Sequence, residues 1–163
     1  MKPSITNILF ATDMSENSAY ALRHAASLTQ ITGAQLHILH VSEVLSDEAR
    51  VTIQMFIQDK DERHKALTGR LSVAKKTLAE RQKNFWDGLP GEDQGIRDQI
   101  TSVEVIEGHP AEAILRRAAD LKCDLIVLGA HDHGFTHTFL GTVAKRVLRR
   151  ASVPTLVVPF KAS

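Results

Sequence analysis

The chain has 163 residues, with 20 Lys plus Arg against 19 Asp plus Glu and a formal net charge of +1. So even a balance argues against a protein that holds nucleic acid by its field. No window approaches the roughly 20 apolar residues of a membrane span, and the one cysteine, Cys123, has no partner for an internal disulfide. With 43% hydrophobic residues, a chain of this length can bury about 70% of its unfolded surface, and residues 1–163 read as one domain that needs no metal or disulfide staple. The N-terminal apolar run is broken by Thr12 and Asp13, unlike a signal-peptide core, so a cytoplasmic location is expected.

Short runs rich in Ile, Val and Leu alternate with segments of helical period, the pattern of a parallel sheet wound with helices. Residues 5–12 predict a first strand, and residues 15–32 a helix with Ala19, Leu22, Ala26 and Thr29 on one face and Gly33 as its stop. Residues 35–41 alternate as a second strand. From about 46 to 88 the apolar positions 53, 57, 67, 71, 74 and 78 step by threes and fours, which predicts one long or kinked amphipathic helix, bent near Gly69. Residues 47–98 carry ten acidic and ten basic side chains, so the solvated face lies there. Gly and Pro mark 88–95 as a loop. A third strand over 101–106 follows, and then a helix from Pro110 to about Leu121, with His109 at its entry. Residues 124–128 form an apolar run expected of a central strand, with Cys123 a small buried side chain beside it. A His- and Gly-rich loop covers 129–138, and a helix over 140–151 and a strand over 155–158 complete the chain.

In open parallel sheets, ligands bind beyond the carboxyl ends of the strands where the winding reverses. Ala11-Thr12-Asp13 and Leu128-Gly129 end two strands, and they become neighbours if the order is 3-2-1-4-5, which periodicity alone does not reveal. Backbone N–H groups at a Gly-rich turn and a helix N-terminus attract anions, and Gly141-Thr142-Val143 at the start of the last helix offers that arrangement. Competing phosphate motifs fit worse. Gly129 to Gly134 has P-loop spacing, but Phe135 stands where Lys is needed, and no GxGxxG follows the first strand. His131, His133 and His137 lie within seven residues, but without a Cys or clear carboxylate set, and with Asp132 alone nearby, they make a weak metal signal. Lys145, Arg146, Arg149 and Arg150 read as a solvated face favoured by the helix dipole, or else as a dock for an acidic partner.

Residues from nearly the whole chain resemble the universal stress protein family. They are a first strand ending in Thr12-Asp13, the helix SENSAYALRHAASLT, a strand ending in His40-Val41, the segment GHPAEAIL, and the C-terminal DLIVLGAHDHGFTHTFLGTVAKRVLRRASVPTLVVP. The resemblance implies a doubly wound α/β fold of the adenine nucleotide alpha hydrolase type. Its sheet would have five parallel strands in the order 3-2-1-4-5, with helices on both faces. In nucleotide-binding members a glycine-rich loop wraps the phosphates and ribose. Gly129 fits its first glycine and Gly141-Thr142 its closing pair. Asp132 stands at the second glycine, in a loop one residue shorter than the family pattern, and Gly134 is the candidate to take that role in a shifted register.

By resemblance, Asp13 with Thr12 meets the adenine or ribose, Ala11 and Val41 flank the base, and Leu128 and Gly129 lie along the nucleoside. His131, Asp132, Gly134, Gly141, Thr142 and Val143 form the phosphate side. Each has a plain alternative, Asp13 as a helix cap, Val41 as core and Gly141-Thr142 as a helix start. The implied ligand is ATP, with ADP or AMP as variants and Mg2+ as companion ion. The implied partner is a second copy paired through Thr155 to Val158, a short apolar strand of the kind that pairs with another chain when left at an edge. Three functions follow: a nucleotide-binding regulator of stress response, a dimeric stress protein acting through protein partners without nucleotide, or a slow ATP hydrolase.

Overall fold

The computed structural model describes residues 4–130 and 140–159. Five parallel strands form one sheet in the order β3-β2-β1-β4-β5, with β1 at Asn7–Ala11, β2 at Gln35–Glu43, β3 at Ile100–Gly108, β4 at Leu125–Gly129 and β5 at Thr155–Val158. The helices are α1 (Glu16–Thr32), α2 (Asp47–Phe56), α3 (Lys60–Asp87), α4 (Pro110–Asp120) and α5 (Thr142–Arg150). β1 lies in the middle, with Ile8 beside Leu36 on one flank and Leu125 on the other. The chain winds outward to β3, returns, and winds the other way through β4 to β5, so the reversal falls between β1 and β4.

Alternation along the strands divides the core into two layers. Ile8, Phe10, Leu36, Ile38 and Val127 face α1 and the C-terminal half of α3, where Leu78 and Trp86 are buried. Leu9, Ala11, Leu39, Val41, Ile126 and Leu128 face α4 and α5, meeting Ala111, Ile114, Ala144 and Val147. Each fully buried Leu, Ile or Phe contributes roughly 1.5–3 kcal/mol over its exposed state.

Local chemistry sets the helix ends. The Ser15 hydroxyl accepts from the Ser18 N–H to start α1, and Gly33 ends it in the left-handed region at φ 70. The long helical segment differs from expectation. It breaks at residues 57–59, and Gly69 lies undisturbed inside α3. The Asp59 carboxylate accepts from the Asp61 and Glu62 N–H groups and so starts a new helix, while the Arg63 guanidinium donates to the Ile57 and Gln58 carbonyls. A capping side chain that satisfies free N–H groups is a stronger breakpoint than an interior glycine, which costs only about 1 kcal/mol. Of the expected apolar stripe, Ala74 and Leu78 are buried, and α2 buries none of its residues. The expected loop over 88–95 is confined to residues 88–90; from Gly91 to Gln99 the chain forms a 3₁₀ helix entered at Pro90.

Candidate functional site

The β1–α1 turn is held by hydrogen bonds among its own short polar side chains. The Thr12 hydroxyl donates to Ser18 Oγ at 2.9 Å, Ser18 Oγ also accepts from the Asp13 N–H, and Thr12 Oγ1 accepts from the Met14 N–H. His40 Nδ1 donates to the Thr12 carbonyl at 2.8 Å, tying the end of β2 to the end of β1. Met14 takes φ 64, a left-handed conformation costing a non-glycine residue roughly 1–2 kcal/mol, which the surrounding bonds sustain. Asp13 is not the cap of α1. Ser15 fills that place, and Asp13 Oδ1 accepts from the Ser15 N–H instead.

Across the switch point, Gly129 ends β4 against α1. A Cβ there would come within 3.2 Å of Asn17 Nδ2 and would require that side chain to give by a few tenths of an ångström. Asn17 Nδ2 donates to the Ala130 carbonyl and holds the chain leaving β4. Further along, α5 begins at Gly141 with φ −59, ψ 162 and, among the described residues, no side-chain cap. Its first N–H groups therefore lack the usual internal partner and carry the positive end of the helix dipole.

These pieces surround one cleft of about 520 Å³ at the carboxyl ends of the strands. Ala11, Thr12, Asp13, Val41, Leu128, Gly129, Gly141, Thr142 and Val143 all line it. His131, Asp132 and Gly134 lie outside the described residues, as do the other two histidines of the metal signal, His133 and His137. Among the described residues, no group of three His, Cys, Asp or Glu is placed to hold a metal. Val41 and Leu128 serve both as core and as cleft wall. Ser18, His40, Glu43, Arg70, Pro110 and Ile114 also line the cleft, and the sequence reading missed them. Pro110 and Ile114 sit on α4, four residues apart on one face. Arg70 lies four residues before buried Ala74 and eight before buried Leu78, on the face that their packing sets.

The donor set fits a nucleotide: apolar walls from Val41, Leu39 and Ile114 for a flat ring, a carboxylate and hydroxyls at Asp13 and Thr12, and uncapped helix N–H groups for phosphate oxygens. Cys123 stays outside the cleft, and burial pushes its thiol up to about 11, which makes it unreactive at neutral pH.

An open, doubly wound parallel sheet with a nucleotide-sized cleft at its switch point defines a class of α/β ligand-binding domains. The sequence model of the universal stress protein family matches residues 4–159, and the chain belongs to that family. A universal stress protein of Thermus aquaticus is 33% identical over 152 residues, 93% of this chain and 96% of that one. One of Methanocaldococcus jannaschii is 26% identical over 157 residues, 96% of each chain, and its solved structure superimposes with a TM-score of 0.65. A universal stress protein solved in complex with cAMP is 23% identical, with a TM-score of 0.59 over 96% of this chain and 98% of that one. Among the described residues, no helix is long and apolar enough to cross a membrane.

Proposed function

We propose that this universal stress protein is an adenine-nucleotide-binding regulatory module of the stress response, working as a homodimer in the cytoplasm. The observation that carries the reading is the uncapped N-terminus of α5 opening into the same cleft as Asp13, Val41 and Gly129. The binding of cAMP by a relative of the same fold supports an adenine ring as the common element. ATP with Mg2+ is the expected ligand, with ADP and AMP as variants. Ala11 and Val41 would flank the base, Asp13 and Thr12 would meet the base or ribose, and Gly141, Thr142 and Val143 would hold phosphate. His131, Asp132 and Gly134 would complete the phosphate side.

The homodimer reading rests on β5. Among the described residues it pairs with β4 alone and closes the sheet at that edge, and Pro154 and Pro159 limit any further pairing to four residues. A short bounded edge favours a closed twofold contact over an open stack. Sedimentation showing only monomer at micromolar concentration would remove this part.

The test of nucleotide binding is analysis of the supernatant after denaturing purified protein, followed by thermal unfolding with ATP and Mg2+. Ligand at 100 times its dissociation constant stabilises by about 2.7 kcal/mol, a rise of roughly 5–10 °C for a chain of this size. An empty supernatant and no shift at millimolar ATP would leave the dimer working through protein partners.

A further inference from the structure

We infer that Arg70 fits this cleft to a phosphate-bearing ligand, a specificity-determining cation supplied from the opposite face of the sheet to α4 and α5. The inference rests on the nucleotide reading and deepens it, naming which of this chain's side chains separates nucleotides from nucleosides. Its basis is the way α3 lies on the fold. Leu78 is 2% exposed in the core layer shared with α1, and Ala74, one turn earlier, is 8% exposed. Continuing that line by one more turn reaches Arg70, which lines the cleft instead of the core. Residues four apart on a helix share a face, so the packing of Ala74 and Leu78 fixes the side from which Arg70 projects. One cleft is therefore walled from both layers, by Pro110, Ile114 and Gly141 from one face and Arg70 from the other.

The charge on that wall gives Arg70 its role. Among the described residues lining the cleft, the carboxylates are Asp13 and Glu43, and Arg70 is the one Lys or Arg. Among the described lining residues, it is therefore the side chain whose fixed positive charge favours a phosphate over a neutral ligand. Arg70 makes no ion pair with a described residue, so its charge is not neutralised by Glu43. A guanidinium carries five donors in a planar fork that matches phosphate oxygens, and it stays charged at any working pH. The α5 N-terminus is fixed by the fold, whereas the exposed, long side chain of Arg70 can follow phosphates of different length.

Calorimetric titration of adenosine, AMP and ATP into the intact protein, Arg70→Ala and Arg70→Lys tests this. Arg70→Ala should weaken AMP and ATP by roughly tenfold, the loss expected for one hydrogen bond to a charged group, and leave adenosine unchanged. Arg70→Lys should recover part of the loss, and the salt dependence of ATP binding should be shallower in Arg70→Ala. Equal losses for adenosine and ATP would make Arg70 a stacking or wall residue and overturn the assignment, as would no loss at all. Because Arg70 is exposed, unchanged thermal unfolding is expected of both variants in the absence of ligand. If the unsubstituted protein binds none of the three compounds, the nucleotide reading falls and this inference with it. Binding that is indifferent to Arg70 overturns the inference alone.

Discussion

The two ends of the sheet use their polar groups differently. At the amino ends of the strands, one network runs across four of them. Asp124, just before β4, accepts from the Thr6 N–H and hydroxyl at 2.8 Å and from the Asn7 N–H at 3.0 Å. Asn7 Nδ2 donates to Thr6 Oγ1, and its Oδ1 faces His37 Nε2 at 3.4 Å, while His37 Nδ1 meets the Ser102 hydroxyl at 2.8 Å. Beside it, Arg117 of α4 grips Glu104 of β3 through Nε and Nη2. At the carboxyl ends Thr12, Ser18 and His40 are also bonded within the chain, but among the described residues the helix start at Gly141 has no side-chain cap and the Arg70 cation no ion pair. Polar groups satisfied within the chain stabilise it, and those left open are what a ligand can use. The difference teaches that the cleft end is the less self-sufficient end of the fold.

Three substitutions would break or sharpen this contrast. Gly141→Asp has the largest expected effect, with opposite signs on binding and stability. Its φ of −59 and ψ of 162 suit an N-cap aspartate, whose carboxylate would accept from the free N–H groups and repel phosphate. ATP affinity should fall by about 100-fold, while the free protein melts no lower than before. Retained affinity would show that α5 is not the phosphate side.

His37 should give the next largest effect. Burial lowers its pKa from the ordinary 6.5, with nearby Glu104 opposing and Arg117 assisting. The folded chain therefore keeps His37 neutral while the unfolded chain takes a proton below pH 6.5. Stability is full above that pH and falls as pH drops toward the lowered value, by at most about 1.4 kcal/mol per pH unit. Urea unfolding at pH 7.5 and 5.5 should show a smaller decline in His37→Gln than in the unsubstituted chain. Equal declines would assign the pH dependence to other groups.

Asp124→Ala is the smallest. The three hydrogen bonds from Thr6 and Asn7 hold the Asp124 carboxyl below its ordinary 3.8. Their contribution is present above pH 3.8 and lost as pH falls through the lowered value. Solvent screens this partly exposed site, so the loss at pH 7 should be about 1 kcal/mol, with nucleotide affinity unchanged. A loss of affinity here would mean that the two ends are coupled.

Much of this was legible in the chain. Every strand was visible as an Ile-, Val- and Leu-rich run, the central ones because both their faces are covered and the edge strand β3 by its alternation. The cleft residues at 11–13, 128–129 and 141–143 were visible because strand ends and glycine-marked helix starts have local signatures. The break at 57–59 was hidden, since Asp59 resembles any solvated acid in a charged stretch until it is seen to cap α3. Arg70 was hidden for the same reason, one basic residue among ten in that stretch, which only the packing of Ala74 and Leu78 turns inward.

By itself, the sequence determined the alternation of strands and helices and the glycine-marked start of the last helix, because each depends on residues close together along the chain. Only the tertiary structure decided that β1 and β4 lie side by side, that α3 crosses to the cleft from the face opposite to α4, and that the carboxylates of Asp13 and Glu43 line the same cleft as Arg70. Those are relations between residues tens of positions apart, and burial of the two core layers sets them.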